Sequence, residues 1–279
     1  MNQPQSLDEL PEGSFAALIG ALLAAVAGAV LALLVAPMYV PALAQSLQGE
    51  SPKAYWYFSR STAFVAFGLL WLSVVFGLLM TGKLSTSWPG HVVAFELHQY
   101  TSVLGLAFAL FHALVLLGDR YINYTLEQLL VPMGSVNYRV VEVALGQVAF
   151  YLFALVTFSF YIRRVITQRV WRLIHYLSFA VFVMVLAHGI TAGSDSGDAA
   201  IQALYWFAGG SVLFLTIYRV LSRFVQQPGR AVGFAVRASA TGRARASEAS
   251  GPSVPSTVGA GSRPDRWSSP SGETTGSAV

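Results

Sequence analysis

Four histidines of this chain stand inside apolar runs: His98 and His112 in ELHQYTSVLGLAFALFHA, and His175 and His188 in WRLIHYLSFAVFVMVLAHG. One imidazole in such a segment needs no special explanation, because it can hydrogen-bond to a neighbouring helix. Two pairs in two runs point to something more. Two neutral imidazoles that face each other are suited to be the axial ligands of a planar metal cofactor, and histidine is an ordinary haem ligand. A fifth histidine, His91, opens its run too near the interface to be a ligand and reads as an interfacial hydrogen-bonding residue.

The elements that must position these side chains follow from composition. Of the 279 residues, 55% are hydrophobic and 11% are charged. Apolar runs of about 20 residues match the hydrocarbon core of a bilayer. Five runs lie at 55 to 80, 92 to 118, 142 to 162, 172 to 192 and 200 to 222, and a Gly- and Ala-rich sixth at about 15 to 43. The stretch FVAFGLLWLSVVFGLLM is apolar all round, whereas barrel strands alternate. The expected fold is all-α, an integral membrane six-helix bundle over 15–224, preceded by an N-terminal segment 1–14. The first run contains an Ala-Leu-Ala sequence of the kind that precedes signal cleavage, in PALAQS. Its acidic start (Asp8, Glu9, Glu12) and long core favour a retained helix.

Arginine placement sets the expected orientation, since short loops rich in Lys and Arg stay cytoplasmic. Arg163, Arg164, Arg169 and Arg172 crowd one loop, and Arg219, Arg223 and Arg230 open the tail. Both belong inside, with both termini cytoplasmic. The loop at 193 to 199 carries Asp195 and Asp198 and faces outward, as does the mixed loop at 119 to 141. In this topology the third and fifth helices run in the same direction. His98 and His112 are fourteen residues apart and His175 and His188 thirteen, spans of roughly 21 and 20 Å at about 1.5 Å per residue. His98 and His175 then share the inner depth and His112 and His188 the outer, which predicts two stacked b-type haems, bis-histidine and noncovalent.

The second spacing poses a difficulty. Fourteen residues return a side chain to within roughly 40° of its starting face, but thirteen leave it about 140° away. Tilt, bending or altered winding of the fifth helix is required to bring both imidazoles inward.

Other compositions narrow the chemistry. The chain has no cysteine, which excludes disulfides, thiol catalysis, iron–sulfur ligation and thioether-linked haem. Residues 225–279 are rich in Gly, Ser, Ala, Pro, Thr and Arg and read as a disordered cytosolic tail. No Gly-rich strand-turn-helix segment for a dinucleotide occurs, so no bound FAD or NAD(P) is expected. The net charge of +4 reflects topology and tail rather than nucleic-acid binding.

With these residues in hand, the segment 54–224 resembles the ferric reductase-like transmembrane domain. That domain is shared by ferric reductases, NADPH oxidases and the haem-bearing membrane subunit of the bacterial methionine sulfoxide reductase system. The resemblance rests on the spacings of His98 to His112 and His175 to His188, on Arg60 in SRSTAFVAFG, and on LLVPMGSVNYRVVEVALG at 129–146. It implies the same pairing, His98 with His175 and His112 with His188. Haem propionates favour cationic partners. Arg60, at the outer end of its helix, is a candidate for the outer haem, and Arg172 for the inner one or else for a cytoplasmic anchor. The Trp and Tyr residues, among them Trp56 and Trp171, read as interfacial belt.

The expected function is transmembrane electron transfer in a bacterial inner membrane. The donor is a separate flavoprotein reductase docking on the basic loop, or a membrane quinol, and the acceptor is oxygen, ferric iron or a periplasmic redox protein. The alternatives are a self-contained ferric or oxygen reductase at the outer face, and a cofactor-free transporter with a histidine proton relay.

Overall fold

The computed structural model describes residues 15–80, 90–134 and 138–225, with side chains through 222. The expected N-terminal segment and the tail beyond Val225 lie outside the described residues. Among the described residues six helices are long and apolar enough to cross a membrane. They are α1 (Phe15–Leu34), α4 (Ala54–Met80), α5 (His91–Val115), α7 (Val140–Tyr161), α8 (Gln168–Ala192) and α9 (Ala199–Val225), with short helices α2 (Ala36–Tyr39), α3 (Pro41–Leu47) and α6 (Leu126–Leu130) between them. The molecule is an all-α integral membrane bundle. Large side chains such as Leu173, Val183 and Phe214 point outward from it, as they do where lipid replaces water.

The first helix is shorter than the run that encodes it. It ends at Leu34, and α2 and α3 follow with Pro37 and Pro41 in their first turns. Proline has no N–H to give the preceding turn and its ring clashes there, so the apolar run to residue 43 is broken into three pieces. The end of α1 is closed from outside by Tyr55. Its side chain is fully buried and its hydroxyl donates to the Ala32 carbonyl at 2.6 Å, one of the last four carbonyls, which a helix leaves without internal partners. Tyr55→Phe removes that donor from a buried acceptor. The expected cost is about 1–3 kcal/mol, measured as a lower thermal midpoint in detergent.

Helix α4 packs most extensively on α5, and α7 on α8, while α1 lies along α5. The histidine-bearing helices α5 and α8 share no extensive backbone contact. They face each other across the middle of the bundle. We call the end of the bundle with the 162–167 turn the lower end and the end with the 193–198 turn the upper end. Between His98 and His112 on α5, and midway between His175 and His188 on α8, the core contains Leu106, Val181 and Phe182 with Phe67 and Phe153. Phe67 and Phe182 stack with ring centroids 6.3 Å apart. An apolar layer therefore separates a lower from an upper histidine level.

Candidate functional site

At the lower level the rings of His98 and His175 lie with centroids 6.0 Å apart at 73° to each other. Two imidazoles bound on opposite sides of one metal, each through a metal–nitrogen bond of about 2 Å, hold their centroids about 6 Å apart. The spacing fits. At the upper level His112 and His188 line one cavity of about 240 Å³ and are near enough to interact electrostatically. Among the described residues no three His, Asp or Glu side chains converge as they would around a bare metal ion. Two imidazoles per level would suit a planar group that brings its own equatorial donors.

The tautomers can be read from the partners. His98 Nδ1 is 2.8 Å from the Ser73 carbonyl, His112 Nδ1 is 2.8 Å from the Ser59 carbonyl, and His188 Nδ1 is 2.7 Å from the Glu142 carbonyl. A carbonyl oxygen only accepts, so each Nδ1 carries the hydrogen and each neutral ring keeps its lone pair on Nε2. That is the form in which an imidazole ligates through Nε2, oriented by a hydrogen bond behind it. The hydroxyls of Ser73 and Ser59 also meet these nitrogens, at 3.1 and 2.9 Å. Among the described residues no carbonyl does this for His175, whose ring stacks on Trp171 with centroids 5.2 Å apart and planes 27° apart.

The two serines lie fourteen residues apart on α4, the same step as their histidines on the antiparallel α5. This repeat was visible in the sequence but carried no meaning until α4 was known to pack on α5. Both histidine neighbourhoods also depend on glycine. A Cβ at Gly146 of α7 would lie 2.7 Å from His188 Nδ1 and Cε1, and one at Gly77 of α4 would lie 3.3 Å from His98 Cε1. Each imidazole occupies space that a larger residue would take.

The thirteen-residue step is resolved without altered winding. Helix α8 is continuous from Gln168 to Ala192. His175 leaves it toward α5, and His188 leaves it on the side of α7, whose first two turns supply the Glu142 carbonyl and Gly146. The offset is absorbed by where α7 sits.

Compared with protein-family models, curated proteins and solved structures, the chain matches none.

The arginines separate. Arg60 lines the upper cavity with His112 and His188 and forms an ion pair with Asp195. In the sequence Asp195 reads only as a topology marker, because its partner lies more than a hundred residues away. Arg172 is exposed, and its Nε bonds along its own helix to the Gln168 carbonyl at 3.3 Å. Arg219 of α9 interacts electrostatically with His175. His91 is the exposed first residue of α5, apart from both levels.

Trp56 and Trp171 both make ring contacts within the bundle. Trp56 meets Tyr138 edge to face at 5.4 Å and lines both the upper cavity and an adjoining one of about 370 Å³. That second space is bounded by Lys53, Tyr57, Arg60, Tyr121, Tyr138 and Asp195. The two spaces taken together fall within the roughly 300–1,000 Å³ of cofactor and ligand sites. The segment between α5 and α7 forms part of the upper wall. Thr125 and Gln128 close a capping box on α6, and Gln147 Nε2 donates to the carbonyls of Gln128 and Leu129, both at 2.8 Å. Tyr138 Oη donates to the Ala192 carbonyl at 2.8 Å and Arg139 to the Thr191 carbonyl, which ties the start of α7 to the end of α8.

Proposed function

We propose that this chain is a transmembrane electron-transfer subunit that holds two b-type haems, one between His98 and His175 and one between His112 and His188. The observation that carries the reading is the pairing itself. Each level brings two imidazoles together across the bundle, and three of the four have Nδ1–H committed to a main-chain carbonyl, which leaves Nε2 as the ligating atom. The spacings shared with ferric reductase-like membrane domains support the same assignment.

A haem at each level supplies one-electron iron chemistry. The chain's own residues do the rest. The serine and glutamate carbonyls fix ring orientation, the layer of Phe67, Leu106, Phe153 and Phe182 excludes water between the levels, and Arg60 places a positive charge at the upper cavity. With an imidazole on either side, a planar group held there would have neither face open to a third ligand, and an acceptor would take its electron at the periphery. By the arginine rule the lower end is cytoplasmic, both termini are inside, and the upper level faces the periplasm of a bacterial inner membrane. The donor is a separate flavoprotein reductase meeting the loop of Arg163, Arg164 and Arg169, or a membrane quinol. The acceptor is oxygen, ferric iron or a periplasmic redox protein.

Protein purified from haem-replete cells is expected to give two haem b per chain by pyridine haemochrome, with a Soret band. Absence of haem sinks the reading in favour of a cofactor-free proton relay. A second reading, reduction of a small acceptor by this chain alone, is favoured by the open space of Lys53, Tyr121 and Arg60 beside the upper level. It prevails if chemically reduced protein in vesicles turns over an outside acceptor with no second protein present.

A further inference from the structure

Trp171 is one turn before His175 on α8, toward the lower end of the bundle. Its indole stacks on the His175 imidazole, and its Nε1 is buried without a hydrogen-bond partner. A tryptophan in an interfacial belt keeps this N–H among headgroups; the N–H of Trp171 is shielded instead. A buried donor left unsatisfied costs about 1–3 kcal/mol, and an indole has one polar atom, so the whole hydrogen-bonding capacity of Trp171 is unspent. Two other buried atoms without partners differ in this respect. Asp119 Oδ1 and Gln147 Oε1 belong to side chains whose other polar atom is bonded, to the Ile122 N–H and to two carbonyls. Arg219 of α9 interacts electrostatically with His175, the ring on which Trp171 stacks, while Arg172 turns along its own helix.

We propose that Trp171 is a positioning residue of the lower site, its indole N–H donating to a carboxylate of the group held between His98 and His175, with Arg219 as the counter-charge. The inference rests on the haem reading above. It assigns to Trp171 and Arg219 the part that sequence reasoning offered to Arg172. A carboxylate on a group bound next to His175 favours the polar end of the bundle, and that is the side of His175 on which Trp171 lies. Its N–H and the Arg219 charge draw electron density from the carboxylate and favour the reduced metal.

The test is a potentiometric titration of the full-length protein in nanodiscs, followed optically. Trp171→Phe keeps an aromatic ring on His175 and deletes only the donor. Both haems are expected to remain. The component that is absent from His175→Ala should become harder to reduce by about tenfold in its equilibrium constant, which is 59 mV for one electron, while the other component stays in place. Arg219→Gln should move the same component in the same direction, and provides the answer if the Phe variant does not assemble. An unmoved lower component in a variant that retains both haems overturns the proposal. Wild-type protein without haem overturns the functional reading instead, and that result comes before any variant is made.

Discussion

Replacing His98 or His175 with alanine is expected to remove one haem and leave the other, and replacing His112 or His188 to remove the second. Haemochrome content should fall from two per chain to one in each variant, and the four variants should form two spectroscopic classes. The geometry behind this is the ring spacing of 6.0 Å between His98 and His175 and the common cavity of His112 and His188. A planar group held between two imidazoles would lose half its protein ligation when either is removed, and an apolar layer lies between the two levels. The same layer isolates the other level. Loss of both haems from all four variants would refute two independent levels. Ser59→Ala and Ser73→Ala should be far milder, because the main-chain carbonyl at each position still accepts from Nδ1.

Gly146→Ala is expected to act almost as strongly as removing His188, although it adds one methyl group to a residue that ligates nothing. The new carbon would lie 2.7 Å from two ring atoms of His188. That is well inside van der Waals contact, and the ring is held close to the same helix by the 2.7 Å bond from its Nδ1 to the Glu142 carbonyl, one turn before Gly146. Either the ring moves off its axial position or α7 moves off α8. Overpacking of this kind costs about 1–3 kcal/mol, a factor of roughly 5 to 150 in affinity for the upper haem. The measurement is haem content and haem transfer to apomyoglobin, read against Gly77→Ala and Gly68→Ala. At Gly77 the nearest ring atom would be 3.3 Å away, so the lower haem should be retained with modest weakening, and at Gly68 nothing lies within 4 Å. Normal upper-haem affinity in Gly146→Ala would show that the His188 ring is not held where the structure places it.

These two expectations differ in where their warrant comes from. The histidines were legible because helix rise is a local property: His98 to His112 and His175 to His188 measure depth along the chain whatever surrounds them. The glycines were not. Nothing in VVEVALGQ marks Gly146 as the residue against His188, since the two are 42 positions apart and meet only because α7 and α8 pack side by side. Trp171 illustrates the same limit. A tryptophan at the start of a membrane helix reads as belt by composition, and only the stacked ring and shielded Nε1 give it another part. Pro37 and Pro41 are the reverse case, because their effect on α1 is local and was available from the sequence.

The sequence by itself determined the six apolar helices, the places where arginine gathers, and the two depths at which imidazoles occur. Each of these depends on composition or on rise along a single helix. Only the tertiary structure decided direction around the helix axis. An α-helix fixes how far apart two side chains are, but the rotation and lateral position of each helix are set by packing against residues remote in the chain. Thus thirteen residues, a misfit for one face of a regular helix, become workable when α5 receives His175 and the first two turns of α7 receive His188. The serine pair on α4, the Glu142 carbonyl and the space left by Gly146 are the other halves of contacts whose first halves the histidine spacing had already shown.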